Sequence, residues 1–424
     1  MTAEVAPWLD RSRWPTVPIR YVASLGTGHT PSRQHPEYWE DCTIPWVTLA
    51  DVGQLRDGTV NIITSTSEMI SRLGLANSAA VKHPAGTVVL SRTASVGFSA
   101  ILGSAMATSQ DFATWTCGPK LDPRYLLHAL RAMAPDLKRL AMGSTHKTIY
   151  MPDIAELRVP LPPLDEQRRI ADFLDAEIAR IDALSTMQRE VLTLVAERRA
   201  AFLEDHLVTA QIAMGAPWIP LQHLTDQSRP IMYGIVLPGP SVEDGVPIVK
   251  GGDVAAGRLR PDLLSRTTRE IESGYARSRL KGGDVVIAIR GSVGEVAVVP
   301  HSLKGANLTQ DAARISRGPE TDMRWLELVL QTSSVAEQIK SRITGATVRG
   351  INIWDLKRIL IPTPGIQTQQ EAAAKLDDLL RKQDSLSTRI RTQLELLAER
   401  KQALITAAVT GQFDVTTGRG ADLS

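Results

Sequence analysis

Apolar residues follow two rhythms along this chain. Residues 1–163 and 216–365 carry short unbroken apolar runs, such as Thr87–Leu90, Val285–Ile289 and Val296–Val299, separated by Gly, Pro and Thr. That texture predicts β-strands joined by turns. Within it, Pro123–Ala134 and Asp322–Ser333 space their apolar residues three and four apart and predict short helices. Each globular half ends in a proline-punctuated segment, Val159-Pro160-Leu161-Pro162-Pro163 or Ile361-Pro362-Thr363-Pro364. Proline keeps the preceding residue out of the helical region, so the chain straightens there.

A long helix follows each of these segments, over about 164–210 and 366–410, and both carry a seven-residue apolar period. Leu174, Ile181, Gln188, Val195 and Phe202 mark the first seam, with Leu184, Val191 and Leu194 expected to fill it out. Leu376, Gln383, Ile390, Leu397 and Leu404 mark the second, flanked by Leu379, Leu386 and Leu394. A sustained heptad stays on one face only if two helices coil together, and each is the other's natural partner. The seam glutamines Gln188 and Gln383 can fix register or face a gap. Roughly 45 helical residues at about 1.5 Å each make a rod of about 65–70 Å, close to two turns of B-DNA at ~34 Å each.

The same segments repeat. Pro45–Val52 aligns with Pro247–Val254, Gly86–Leu90 and Ser95–Gly97 with Gly283–Ile287 and Ser292–Gly294, and Ser109–Asp111 with Thr309–Asp311. Gly143 through Asp153, Pro160 and Pro162 to Gln167 answers to Gly345 through Asp355, Pro362 and Pro364 to Gln369. The matches are collinear at nearly constant offset, which points to a tandem duplication.

At 424 residues the chain has room for two or three domains, and 43% hydrophobic with 22% charged residues is the composition of a folded globular protein. Cys42 and Cys117, with no other cysteine, supply neither a disulfide framework nor a zinc site, and suggest a reducing compartment. Met1–Asp10 lacks the basic flank and apolar stretch of a leader, and no run is long enough to span a bilayer, so a cytoplasmic location is expected. Net charge is +2, distributed as +2 over 1–163, −4 over 164–210, +4 over 211–365 and zero over 366–424. The positive excess sits outside the long helices. It is small for a protein that grips a duplex unaided, so any binding to DNA is expected to need help.

Two β-rich domains, each followed by a long helix opening on a Pro-Leu-Pro-Pro-Leu-x-Glu-Gln type signature, resemble the specificity subunit of type I restriction-modification systems. The resemblance covers essentially the whole chain. It is carried by Leu161-Pro162-Pro163-Leu164-Asp165-Glu166-Gln167-Arg168-Arg169-Ile170, by Thr30-Pro31-Ser32 leading to Pro36-Glu37-Tyr38-Trp39 and Ile44-Pro45-Trp46-Val47, and by Ala408-Val409-Thr410-Gly411-Gln412. The second half looks like another variety of the module, with Ile231–Val236 and Gly245–Val249 in place of the first set. The second signature departs from the first, having Thr368 where Glu166 stands but keeping Gln369.

The resemblance implies an α+β chain with two target recognition domains, 1–163 and 211–365, separated by a long antiparallel two-helix coiled coil in a pseudo-two-fold repeat. The spacer helices would be 164–210 and 366–413, with a disordered tail at 414–424. It also implies that each domain reads one half of a bipartite double-stranded DNA target. Two methyltransferase subunits using S-adenosylmethionine and restriction subunits using ATP and Mg to translocate DNA would be the partners. No catalysis, metal or cofactor would reside in this chain, and no membrane would be involved.

The motifs agree with that expectation. Pro162-Pro163 is the sole Pro-Pro and lies between leucines, unlike a methyltransferase motif; no phosphate-binding Gly-x-x-x-x-Gly-Lys-Ser/Thr occurs. Gly291–Gly294 is one residue short of a nucleophile elbow. Pro152-Asp153 with Glu156 and Pro261-Asp262 with Glu270 lack the lysine of a metal-dependent nuclease, and His29 and His35 lack a third ligand.

Base edges are read by Arg, Lys, Asn and Gln, with Ser and Thr in support. Lys147, in Gly143–Thr148, and Arg349, in Gly345–Gly350, occupy the same repeat position in polar basic segments and are expected to meet DNA; a solvated turn is the other reading. Arg92, Arg290, Gln110 and Gln310 recur in both halves and suit a scaffold or phosphate-positioning role. Arg33, Tyr233 and Lys250 are unrepeated loop residues and better suited to reading different bases. The residues alone also leave open a coiled-coil scaffold with two β-rich protein-binding domains, and a self-contained DNA-cleaving enzyme.

Overall fold

The computed structural model describes residues 9–141, 147–255, 257–345 and 349–416. The chain divides into two compact units, one joining the residues up to Arg189 with those from Arg391 onward, the other the continuous stretch Glu190–Ile390. Each holds a β-sheet region and part of each long helix, the α+β class expected.

In the first unit the strands are β1 (Thr16–Pro18), β2 (Ala23–Thr27), β3 (Ile44–Val47), β4 (Ile62–Ile63), β5 (Glu68–Ile70), β6 (Lys82–His83), β7 (Val88–Ser91), β8 (Ser99–Leu102), β9 (Met106–Thr108), β10 (Phe112–Cys117) and β11 (Arg158–Pro160). They form a five-stranded sheet in the order β2-β10-β7-β8-β4, a four-stranded sheet β5-β3-β9-β6 and the pair β1-β11.

The second unit contains β12 (Trp218–Pro220), β13 (Met232–Tyr233), β14 (Val246–Val249), β15 (Arg266–Thr267), β16 (Val285–Ala288), β17 (Val296–Val298), β18 (Asn307–Leu308), β19 (Ala312–Ile315) and β20 (Leu360–Pro362). Its sheets are β13-β19-β16-β17, β15-β14-β18 and β12-β20. Taking β4 and β6 away from the first unit leaves this same pattern, including the parallel pairing of β3 with β9 and of β14 with β18. The duplication read in the sequence is thus a duplication of pairing.

The unbroken apolar runs arise because the central strands are buried on both faces. Val285 and Ile287 join a core with Trp325, Leu203 and Leu376, whereas Val286 and Ala288 join Val249 and Leu308. Val88 and Leu90 likewise meet Trp115, Tyr125 and Leu174, with Val89 turned to Val47 and Phe112.

The first short helix runs Pro123–Ala132, its first turn capped by Asp122, whose Oδ1 accepts from the Arg124 and Tyr125 amides at 2.9 and 3.2 Å. The helix expected over Asp322–Ser333 is instead two, Met323–Val329 and Ser333–Lys340. Thr332 breaks it: its backbone is extended, and its hydroxyl donates to the Val329 carbonyl at 2.7 Å.

The long helices are Leu164–Glu204, continued by a π-helical turn Asp205–Thr209 into Ala210–Ala213, and Ile366–Thr410. In the first unit Lys401 pairs with Asp182 at 2.7 Å and Gln188 donates to Gln393 at 3.2 Å, so numbers rise on one helix as they fall on the other and the helices run antiparallel. In the second unit Arg199 pairs with Asp384 at 2.9 Å. Adding the repeat offset of 202 to Asp182 gives 384, and to Arg199 gives 401, so the two ion pairs are repeat-equivalent.

Leu174, Ile181 and Leu404 are buried in the first unit and Leu376 and Ile390 in the second, with Leu397 and Phe202 half-buried against those cores and Val195 half-buried. Gln383 is buried, and Gln188 reaches Gln393 rather than a seam residue. Leu184, Val191 and Leu194 do not fill the seam: they are 42%, 41% and 61% exposed, and Leu386 is exposed as well. The apolar stripe is wider than the seam one partner helix can cover. Past the second helix Phe413 stacks on Phe173 and Val415 packs on the first core; 417–424 lie outside the described residues.

Candidate nucleic-acid interface

Three separate stretches of chain meet at one rim of each unit. In the first unit the residues leaving β7 run between Asp111 and the 147–149 segment: the Arg92 amide donates to the Asp111 carbonyl and the Ile149 amide to the Arg92 carbonyl, both at 2.8 Å, and the Ala94 amide donates to Lys147 at 2.8 Å. The Thr93–Thr148 bridge completes the contact. In the second unit the Ile289 amide donates to Asp311 at 2.8 Å, the Ile351 amide to Ile289 at 3.0 Å, and Arg290 bridges Gly350. Residues about 55–60 apart in sequence are therefore neighbours twice over.

A fourth segment joins each rim through a glycine. His29 donates to the Thr108 carbonyl at 3.1 Å, and Ile235 to the Leu308 carbonyl at 2.7 Å. A Cβ on Gly28 would lie 1.8 Å from the Thr108 carbonyl oxygen, and one on Gly234 would lie 2.1 Å from that of Leu308, so each loop crosses the end of β9 or β18 only because a glycine is there. The segment after each glycine then reaches the rim: Thr30 donates to Gln110 Oε1 at 2.6 Å, and the Gln310 amide donates to Ile235 at 3.0 Å.

The side chains on the rims differ. Lys147 and Arg349 are exposed; the adjoining 142–146 and 346–348, which include most of the expected polar loops, lie outside the described residues. Arg92 is half-buried, its guanidinium donating to the Ile149 carbonyl at 3.4 Å, and Arg290 lies 3.9 Å from Asp311. Arg33 is exposed but held, its guanidinium 4.5 Å from the Trp39 ring centroid and 3.4 Å from Glu68. Lys250 donates to Ser265 Oγ at 2.8 Å, Arg258 to the Gly252 carbonyl at 3.1 Å, and Tyr233 stays exposed on β13. The backbone frame thus brings Arg92 near Lys147 in the first unit and Arg290 near Arg349 in the second. Lys250 stands next to Gly251, where a Cβ would lie 2.6 Å from the Arg290 carbonyl oxygen, and Arg33 is held apart from these by Trp39 and Glu68.

The family described as the type I restriction modification DNA specificity domain matches residues 11–193 and 243–396. The chain belongs to this family. It is a DNA specificity subunit of a type I restriction-modification system, and the methylase and restriction activities of such systems lie on other subunits. It is similar to the EcoBI specificity subunit of Escherichia coli, 24% identical over 317 residues that cover 69% of this chain and 66% of that protein. It is also similar to the putative MjaX specificity subunit of Methanocaldococcus jannaschii, at 23% identity over 70% of each. A solved chain from work on complex assembly and conformational transition of the type I R-M system shares the fold at a TM-score of 0.62, with 19% identity, 97% of this chain and 100% of that one covered.

In this specificity subunit the signature glutamine acts as a staple, a role the sequence left unread. Gln167 accepts from the Asp122 amide and donates to the Lys120 and Pro162 carbonyls, all at 2.9 Å. Gln369 repeats the set with the Asp322 amide at 2.9 Å, the Pro364 carbonyl at 2.8 Å and the Glu320 carbonyl at 3.3 Å. Each joins the start of a long helix to the capped helix of its sheet region. Glu166 pairs with Arg169 one turn on, which Thr368 cannot do. The glycine pair and Arg258 were also missed; only the 206-residue interval between Gly28 and Gly234, close to the repeat offset, could have flagged the glycines.

The thiol of Cys117 is pushed up to about 12 by burial, reinforced by Asp122, so it is no nucleophile at neutral pH. Among the described residues no group of three or more His, Cys, Asp and Glu side chains could hold a metal, and no helix is long and apolar enough to cross a membrane.

Proposed function

We propose that the two units read the two halves of a bipartite duplex target within a type I restriction-modification complex in the cytoplasm. The first would use the rim of Arg92, Gln110 and Lys147 together with Arg33, the second that of Tyr233, Lys250, Arg290, Gln310 and Arg349. What supports the reading is that one backbone frame recurs with like residues at Arg92 and Arg290, Gln110 and Gln310, and Lys147 and Arg349, and unlike ones at Arg33, Tyr233 and Lys250. The shared residues would position the DNA backbone and the unlike ones choose the base. The helix pair over 164–210 and 366–413 would set the spacing of the half-sites. Its uncovered stripe of Leu184, Met187, Val191 and Leu194, spaced three and four apart on one helix, suits the docking of helical segments from two methyltransferase subunits. S-adenosylmethionine, ATP and Mg would be handled by those subunits and the restriction subunits.

The test is to purify the chain with its methyltransferase subunits and titrate binding to its selected duplex against salt. Lys147→Ala and Arg349→Ala should each weaken binding and flatten the salt slope by about one unit if they neutralise a phosphate. Unchanged affinity and slope in both variants would remove these residues from the interface, and the absence of any sequence-dependent binding would favour a protein scaffold instead.

A further inference from the structure

Leu237 is 81% exposed, the most exposed of the large apolar side chains among the described residues. A lone surface leucine is ordinary; its mounting is not. Two residues before it, Ile235 is pinned to the rim, donating to Leu308 at 2.7 Å and accepting from the Gln310 amide at 3.0 Å. One residue after it, the Pro238 carbonyl accepts from Thr267 Oγ1 at 2.7 Å, and Val242 is tied to the Arg266 carbonyl at 3.2 Å. Pro238 and Pro240 stiffen the segment between these anchors. The loop presents an apolar tip in a set place, on the segment that borders Thr309 and Gln310, next in sequence to Asp311, whose carbonyl accepts from the Ile289 and Arg290 amides.

The donors and acceptors of that rim can pair with base edges and phosphates, but none can recognise an apolar group. Only one base carries such a group in the major groove, the C5 methyl of thymine. We propose that Leu237 is a specificity-determining residue that covers the methyl group of a thymine in the half-site read by the second unit. The inference rests on the DNA-reading role above and adds the base and the atom. The first unit has no counterpart: by the offset of the paired glycines, 206, Leu237 corresponds to Pro31, which is buried. The contact therefore belongs to one half-site.

Duplexes are selected from a randomised pool by the full-length chain co-purified with its methyltransferase subunits, and each thymine of the consensus is then replaced singly by deoxyuridine, which removes the methyl and nothing else. Wild type should lose about fourfold in affinity at one position, the cost of uncovering one methyl-sized group. Leu237→Ala should bind the thymine and deoxyuridine duplexes equally at that position while keeping every other preference. A wild type indifferent to deoxyuridine everywhere, or a Leu237→Ala variant with the wild-type penalty intact, overturns the assignment. A selection that yields no consensus fails the DNA-reading role itself, a different result from either.

Discussion

The two sheet regions share one pairing diagram and fill its interior with different chemistry. Where the first unit buries Thr87 and Thr114, the second buries Asp284 and Arg314. Arg314, 1% exposed, donates to the carbonyls of Arg277 at 2.6 Å, Arg279 at 3.1 Å and Pro230 at 3.2 Å. Arg229 is bidentate on Asp284 at 2.9 and 2.7 Å, and Glu272 holds Arg279 at 2.6 and 2.7 Å while accepting from Asn307 at 3.0 Å. The first unit instead closes its sheets with two additional short strands, β4 and β6, and has hydroxyls at these two positions. In the second unit a buried charge reaches across segments outside the ladder: the carbonyls held by Arg314 belong to the 3-10 turn Ala276–Ser278, to Arg279 just after it and to Pro230.

The comparison breaks most sharply at Arg314. Arg314→Thr, which installs the first unit's residue, should cost the second unit about 3–5 kcal/mol, because three hydrogen bonds from a buried guanidinium are lost at once. Thermal unfolding and proteolysis of the segment around Arg277 would report it. Thr114→Val in the first unit should cost far less, and equal losses would show that the two interiors do not differ in kind.

The glutamine staples predict likeness instead of difference. Gln167→Ala and Gln369→Ala should each lower stability by about 2–3 kcal/mol, since each removes three hydrogen bonds made by a buried side chain. The loss should be slightly smaller for Gln369, whose bond to Glu320 is the longest at 3.3 Å. Hydrogen exchange at the amides of Asp122 and Asp322 would separate the two effects, and loss of protection in one unit alone would break the equivalence.

The smallest effect lies in acid. Burial holds the His128 imidazole below its ordinary value, more than its hydrogen bond to Asp175 at 2.9 Å raises it, and Nδ1 is buried without a partner, as suits a neutral ring donating through Nε2. An unfolded histidine takes up its proton near ~6.5 while the folded one does so only at lower pH, so this contribution is complete above about 6.5 and fades as pH falls toward the folded value. Leu328 stands at the repeat-equivalent position. The second unit's sensitive group is Glu272, kept below the usual carboxylate range by Arg279, and its contribution is lost only below about 4.3. Exchange in Pro123–Ala132 should thus quicken between pH 7 and 5 while Met323–Val329 stays protected, and His128→Leu should abolish that difference.

Strands with two buried faces were plain in the sequence because nothing polar interrupts Val285–Ala288, and the long helices were plain because prolines announce their starts. The break at Thr332 was not, since it depends on a hydroxyl turning back to Val329 instead of on composition. The seam was half legible: heptad counting found Leu174, Ile181, Leu376 and Leu404 but could not tell Leu184 and Leu194, which face outward, from their buried neighbours. At the rims, Arg92 with Lys147 and Arg290 with Arg349 looked like unrelated pairs because only the folded β7 and β16 ends bring them together. Gln167 was visible as a motif and silent as a mechanism until Asp122, Lys120 and Pro162 were seen around it.

The first unit is assembled from two stretches of chain with the whole of the second unit between them. Leu404, Ile405 and Val409 complete its core, and the Arg13 amide donates to the Thr410 carbonyl at 2.8 Å. Glu190–Ile390 needs no later residue and can mature while translation continues, whereas the stretch made before it must wait until the residues beyond Ile390 have left the ribosome. Synthesis order and completion order are thereby reversed, and a nascent chain that has cleared the ribosome through Ile390 but not Leu404 would carry an unfinished leading half and a finished trailing one.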